Sequence, residues 1–266
     1  MKRHNILALL ISLFVLTPFG KIYSQSYDLY EKRLLIENND TLPYRLLLPE
    51  GYNDTKKYPL VIFLHGSGEK GNDNEKQLTH GTKLFLDNRK DFPAIIVFPQ
   101  CNANSYWSNV NIVGSGKDRA FEFSDGGEPT APMQLLMQLV KKLPHQYKIK
   151  KRQVYVMGLS MGGMGTFELV NRMPKTFAAA IPICGGANTN TAKNLKITNW
   201  WVFHGGKDDV VLPRYSEAMV AAMKQNKVNV KFTLFPEANH NSWDATFATP
   251  GLLNWMFSQK RTCFLF

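Results

Sequence analysis

Several short runs in this chain are apolar at every position, among them Leu60-Val61-Ile62-Phe63-Leu64, Ile95-Ile96-Val97-Phe98 and Trp200-Trp201-Val202-Phe203. A strand that shows one face to water alternates apolar and polar side chains. A continuous apolar run needs cover on both faces, which is the situation in a parallel sheet flanked by helices. The spacing predicts strands over 33–37, 44–48, 60–64, 95–98, 154–157, 178–183, 200–203 and 230–235, the first two as an opening pair. Helical spacing runs through 132–147, 161–172, 214–225 and 243–257. In the first of these, Leu135, Leu136, Leu139, Val140 and Leu143 form one stripe that faces a core. The implied class is α/β, with a mostly parallel central sheet and helices on both faces. Residues 102–130 stand apart as a polar, glycine-rich stretch with scattered aromatics. Such a long irregular loop inside a compact domain is usually functional.

No repeat, low-complexity tract or linker divides the chain, so one domain over 27–266 is expected. The 266 residues include 44% apolar side chains and only 3 Cys, which excludes a disordered chain and a disulfide-built miniprotein. The net charge of +11 is spread thinly, with no run of five Lys or Arg. It therefore reads as solvated surface and not as a nucleic-acid site. Residues 1–24 have the form of a signal peptide: Met1-Lys2-Arg3-His4 is basic, 6–16 are apolar save Ser12, and Pro18, Gly20 and Ser24 follow. That apolar core is shorter than the roughly 20 residues of a spanning helix. The protein is expected to be exported, to the periplasm or beyond the cell, with no stable membrane span after signal removal. Cys101, Cys184 and Cys263 permit at most one bridge. No cysteine or histidine cluster suggests a metal, and no cofactor is expected. The sequence does not speak to oligomeric state.

The chemistry enters at Val154-Tyr155-Val156-Met157, which runs directly into Gly158-Leu159-Ser160-Met161-Gly162 and then into a helical pattern. A sharp turn from strand to helix lifts a serine hydroxyl clear of the backbone, and the flanking glycines are there because a Cβ would collide. A serine hydroxyl is a weak nucleophile at neutral pH. It needs a base, and the base needs a carboxylate that sets its tautomer. In this architecture the chain order is serine, acid, histidine. His204 and His240 are the histidines that follow Ser160. The sole acid between Ser160 and His204 is Glu168, inside the helix that the serine itself launches, so His240 is assigned as base. Asp208 and Asp209 emerge beyond the strand at 200–203, and Asp208 is favoured. His204 is expected to be structural, bonding nearby backbone.

A glycine-rich turn after another apolar strand, Leu64-His65-Gly66-Ser67-Gly68-Glu69, can aim backbone N–H groups at a carbonyl oxygen. Ser67 and Met161 are the expected oxyanion pair, with His65 as framework. Tyr106 and Trp107 in the polar loop, and Trp243 beside His240, are candidate walls for a substrate.

With these residues placed, the chain resembles the α/β-hydrolase superfamily over nearly all of its length after the signal. The stretches 64–71, 98–101, 158–165, 182–186 and 204–209 look like secreted bacterial esterases of the phospholipase/carboxylesterase or prolyl-oligopeptidase-like kind, and the feruloyl and acetyl-xylan esterases are similar in arrangement. The resemblance implies an α/β-hydrolase fold without a large lid and places the acid at Asp208. It implies an exported serine carboxylic-ester hydrolase acting on small acyl or aryl esters, some of them linked to polysaccharide. Leu212 stands where the pattern usually has proline, with Pro213 next. Two other readings remain at this stage: a serine peptidase of the prolyl-oligopeptidase-like type, and a binder that keeps the scaffold without catalysis.

Overall fold

The computed structural model of the protein describes residues 27–262, so the expected signal at 1–24 lies outside the described residues. Eight strands form one sheet. In chain order they are β1 (Glu31–Glu37), β2 (Asp40–Leu47), β3 (Tyr58–Leu64), β4 (Ile95–Pro99), then, after a separate pair β5 (Val110–Val113) and β6 (Ala120–Phe123), β7 (Ile149–Leu159), β8 (Ala179–Ile183), β9 (Asn199–Gly205) and β10 (Val230–Phe235). The spatial order is β1-β2-β4-β3-β7-β8-β9-β10. β1 pairs β2 and β2 pairs β4 antiparallel, and every later pair is parallel.

The continuous apolar runs divide their side chains between two cores. Leu60, Ile62, Leu64, Val156 and Val202 point to one face, where they meet helix α2 (Ala131–Gln146), α3 (Met161–Arg172) and α4 (Arg214–Gln225). Val61, Phe63, Tyr155, Met157 and Phe203 point to the other, against α1 (Thr82–Asp87) and α6 (Leu252–Ser258). A period of two with both faces buried is what makes every position apolar. Helix α2 begins where the Thr130 side chain accepts from the Met133 N–H, and Pro132 sits in its first turn.

Three features differ from the sequence expectation. The irregular loop over 102–130 contains the β5–β6 hairpin, in which Val110 pairs with Phe123 and Val113 with Ala120. The single helix expected over 243–257 is two, α5 (Trp243–Phe247) and α6, separated by Pro250 and by Gly251 at φ 77°. That left-handed residue cannot continue a helix. A short helix, α1, was not expected at all, because its six residues are too few to display a periodic stripe.

Candidate active site

Ser160 stands between β7 and α3 at φ 53° and ψ −118°, a conformation that a non-glycine residue adopts only under surrounding constraint. Its N–H donates to the Ile183 carbonyl at 2.9 Å, tying the turn to β8. The neighbouring glycines are required by close approach. A Cβ on Gly158 would lie 2.3 Å from the Gly162 carbonyl oxygen, and one on Gly162 would lie 2.0 Å from that of Leu64.

The base and acid come from two later loops at the same carboxyl edge of the sheet. His240 Nε2 lies 3.0 Å from Ser160 Oγ, and His240 Nδ1 lies 2.8 Å from Asp208 Oδ2. A carboxylate accepts only, so Nδ1 carries the proton and Nε2 is free to accept from the serine hydroxyl. Asp208 is buried, whereas Asp209 is exposed. The N–H groups of Val210 and Val211 both donate to Asp208 Oδ1 at 2.9 Å, which fixes the carboxylate plane. Burial pushes the Asp208 carboxyl up, but hydrogen bonds from His204, His240 and Val211 outweigh it and hold the group well below the usual carboxylate range. The arrangement can move a proton from a hydroxyl to an imidazole backed by a buried anion.

The turn after β3 lies against the nucleophile: a Cβ on Gly66 would be 3.7 Å from Ser160 Cβ. Ser67 opens a 3-10 turn and Met161 opens α3. First-turn N–H groups have no earlier carbonyl to donate to within their own helix. His65 is framework. Its Nδ1 meets the Gly66 carbonyl at 2.6 Å and its Nε2 accepts from the Cys101 N–H at 2.9 Å, which ties the ends of β3 and β4 together. Burial drives its pKa down to about 4.

The candidate walls separate on inspection. Tyr106 is half-buried, bonds the Ser67 side chain and carries Lys70 Nζ 5.1 Å from its ring centroid. Trp243 sets its ring edge-on to His240, with centroids 5.5 Å apart. Trp107 is a correction: it is 0% exposed and packed against His65, so its ring is core and offers no open wall. The apolar cluster that sequence reasoning missed is buried Phe121, Met164 and Val211 with half-buried Phe123 and Tyr215 packed against them. The hairpin brings it there, and the Phe121 N–H donates to the Tyr215 hydroxyl at 3.0 Å. The alternation in Val110-Asn111-Ile112-Val113 and Ala120-Phe121-Glu122-Phe123 was the available signal.

Cys184 also borders the site. It is fully buried, at φ 41°, with Sγ within 4.8 Å of atoms of Asp208 and His240. The carboxylate and imidazole atoms of this trio are bonded to each other, and burial pushes the thiol up, away from the thiolate that a metal would need. The donor set fits an acid–base pair with an inert neighbour and does not fit a metal.

Known proteins place this geometry in context. The chain is 28% identical over 151 residues to the protein named Probable feruloyl esterase C from Aspergillus terreus, which covers 57% of this chain and 49% of that protein. It is 31% identical over 154 residues to a bifunctional acetylxylan esterase/xylanase from Neocallimastix patriciarum, covering 58% of this chain and 20% of that protein. It thus spans at most about half the length of these curated relatives. A thermostable esterase of known structure superposes with a TM-score of 0.79 at 31% identity, over 89% of this chain and 64% of that one. A ferulic acid esterase from Anaeromyces mucronatus, solved with ferulic acid, shares the fold at a TM-score of 0.61 and 16% identity, over 86% of this chain and 90% of that one. The architecture is the α/β-hydrolase fold. Residues 37–248, most of the chain, match one family, and the protein belongs to it: the Esterase family.

Proposed function

We propose that this protein is an exported serine hydrolase that cleaves carboxylic esters with small acyl or aryl groups through an acyl-enzyme. The observation that carries the reading is the hydrogen-bonded chain from Ser160 through His240 to Asp208. Ser160 Oγ attacks the ester carbonyl as His240 Nε2 takes its proton. The imidazolium so formed is held by Asp208, while the N–H groups of Ser67 and Met161 receive the oxyanion. His240 then returns the proton to the departing alcohol. Water, deprotonated by the same histidine, attacks the acyl-enzyme and frees the acid and Ser160. Tyr106, Trp243 and the aromatic cluster of the hairpin form the walls for acyl and alcohol groups. The names of the relatives support esters carried on plant polysaccharide as the natural class.

The decisive experiment is turnover of p-nitrophenyl acetate and butyrate together with labelling by a fluorophosphonate. Hydrolysis by the wild type, labelling at Ser160 and loss of both in Ser160→Ala are expected. An unlabelled protein, or a Ser160→Ala variant with wild-type turnover, would refute the reading. Residues 1–24 are tested separately: Edman sequencing of the mature protein from a culture supernatant or periplasmic extract should begin after residue 24.

A further inference from the structure

His204 closes β9 with no exposed surface, and its ring is ringed by oxygen. Nδ1 lies 2.7 Å from Ser216 Oγ, and Nε2 lies 2.7 Å from the Val211 carbonyl oxygen and 3.2 Å from Asp208 Oδ2. Ser216 Oγ in turn lies 2.8 Å from the Gly185 carbonyl oxygen. Each close approach between two lone-pair atoms requires a proton between them, and a carbonyl oxygen brings none. The bonds from Nδ1 to Ser216, from Nε2 to Val211 and from Ser216 to Gly185 therefore need three protons, whereas a neutral imidazole and a hydroxyl own two.

Neither neutral tautomer closes the network. With the ring proton on Nε2, Ser216 must give its hydroxyl proton to Nδ1, and the Gly185 carbonyl then faces a bare oxygen. With the ring proton on Nδ1, the Val211 carbonyl faces a bare nitrogen. Such buried, unpaired contacts are costly. An imidazolium satisfies all of them. Nδ1–H donates to Ser216 Oγ, Ser216 donates to Gly185, and Nε2–H donates to Val211 with Asp208 Oδ2 as the nearby counter-ion.

We propose that His204 is a buried imidazolium which shares Asp208 with His240 and acts as a positioning residue for the base. Asp208 Oδ2 then lies between two rings, and part of its charge is spent on His204. The hold of Asp208 on His240 therefore depends on His204. The other groups around the pair do not supply this charge. Cys184, just after β8, is kept neutral by burial, Ser216 on α4 is uncharged, and the β10 residue paired with His204 is Leu234; in the loops that carry Asp208 and His240, Lys207 and Glu237 are exposed and bonded to each other, and Asp209 is exposed. The proton count does not depend on catalysis, but its effect on the base rests on the reading of Ser160 as nucleophile.

Nitrogen-15 NMR of the full chain with labelled histidine tests the charge directly. At about pH 7 both ring nitrogens of His204 should be protonated, with two N–H correlations to one ring and an assignment by triple resonance. One unprotonated ring nitrogen overturns the proposal, whether or not the protein hydrolyses esters. The variant His204→Gln keeps a donor and removes the charge. The acid limb of its kcat/KM profile for p-nitrophenyl acetate should move relative to wild type, because the carboxylate that holds His240 is then no longer shared. An unmoved limb in a folded variant overturns the influence on His240. If the variant does not fold, the wild-type spectrum decides alone.

Discussion

Two regions of the molecule, the serine turn and the β5–β6 hairpin, are built on different principles. The turn from β7 into α3 is dictated by backbone: carbonyl oxygens crowd Gly158 and Gly162 so closely that no side chain fits. The hairpin after β4 is dictated by side chains: Phe121 and Phe123 pack against Tyr215, and an edge-on ring geometry sets the distance. Backbone constraint demands particular residue types, whereas aromatic packing accepts several. The first region therefore fixes its residue types, and the second leaves them free to vary.

The largest expected effect tests the catalytic side. Asp208→Asn keeps the shape but allows the wrong His240 tautomer, and kcat should fall by about 10³–10⁴. Asp209→Asn, altering an exposed neighbour, should stay within about twofold of wild type. Stopped-assay rates on p-nitrophenyl acetate compare the two, and equal losses would erase the distinction between them.

Next comes the backbone constraint itself. Gly162→Ala places a methyl where the Leu64 carbonyl oxygen lies 2.0 Å away. Both β3 and α3 are rigid there, so the strand and helix must separate. Stability should drop by about 3 kcal/mol or more, read as a lower urea midpoint, with loss of turnover. A variant of wild-type stability would mean that this turn tolerates side chains as the hairpin does.

The same contrast explains what could be read in advance. The strands and the serine turn were legible because burial on both faces and steric crowding each leave a pattern in consecutive residues. Asp208 and His240 were legible through chain order, although 32 residues separate them. Trp107 was not: a tryptophan in a polar loop looks like a ligand platform, and only its position under the His65 turn shows that it is core. The hairpin was obscured because the glycines and polar residues between its strands outweigh two four-residue alternations. Helix α5 ran into α6 in the pattern because both contribute apolar residues to one face.

A pH effect sharpens the framework role of His65. Its folded pKa of about 4 lies below the ordinary value of 6.5, since burial disfavours the charged ring. The unfolded chain takes up the proton first as pH falls, so the stability is fully present above 6.5 and is lost between 6.5 and about 4. The loss from this one residue should approach about 3 kcal/mol. Urea midpoints measured at about pH 7 and 4.5 should fall more for wild type than for His65→Asn. Equal falls would remove His65 from the buried neutral state.

The smallest effect belongs to the hairpin, and there the comparison can break. Phe123 is half-buried, and its ring would stand 3.2 Å from a Cβ on Gly186, so it spans from the hairpin to the loop after β8. Phe123→Ala opens the proposed acyl wall without touching the Ser160 turn. It should lower kcat/KM for esters with an aromatic acyl group by about fivefold, and for p-nitrophenyl acetate by less than about twofold. A selective loss makes the hairpin a determinant of which ester is cleaved. An equal loss on both would mean that the hairpin supports the nucleophile turn itself, through Met164 one helical turn beyond Ser160, and that the two regions are a single mechanical unit.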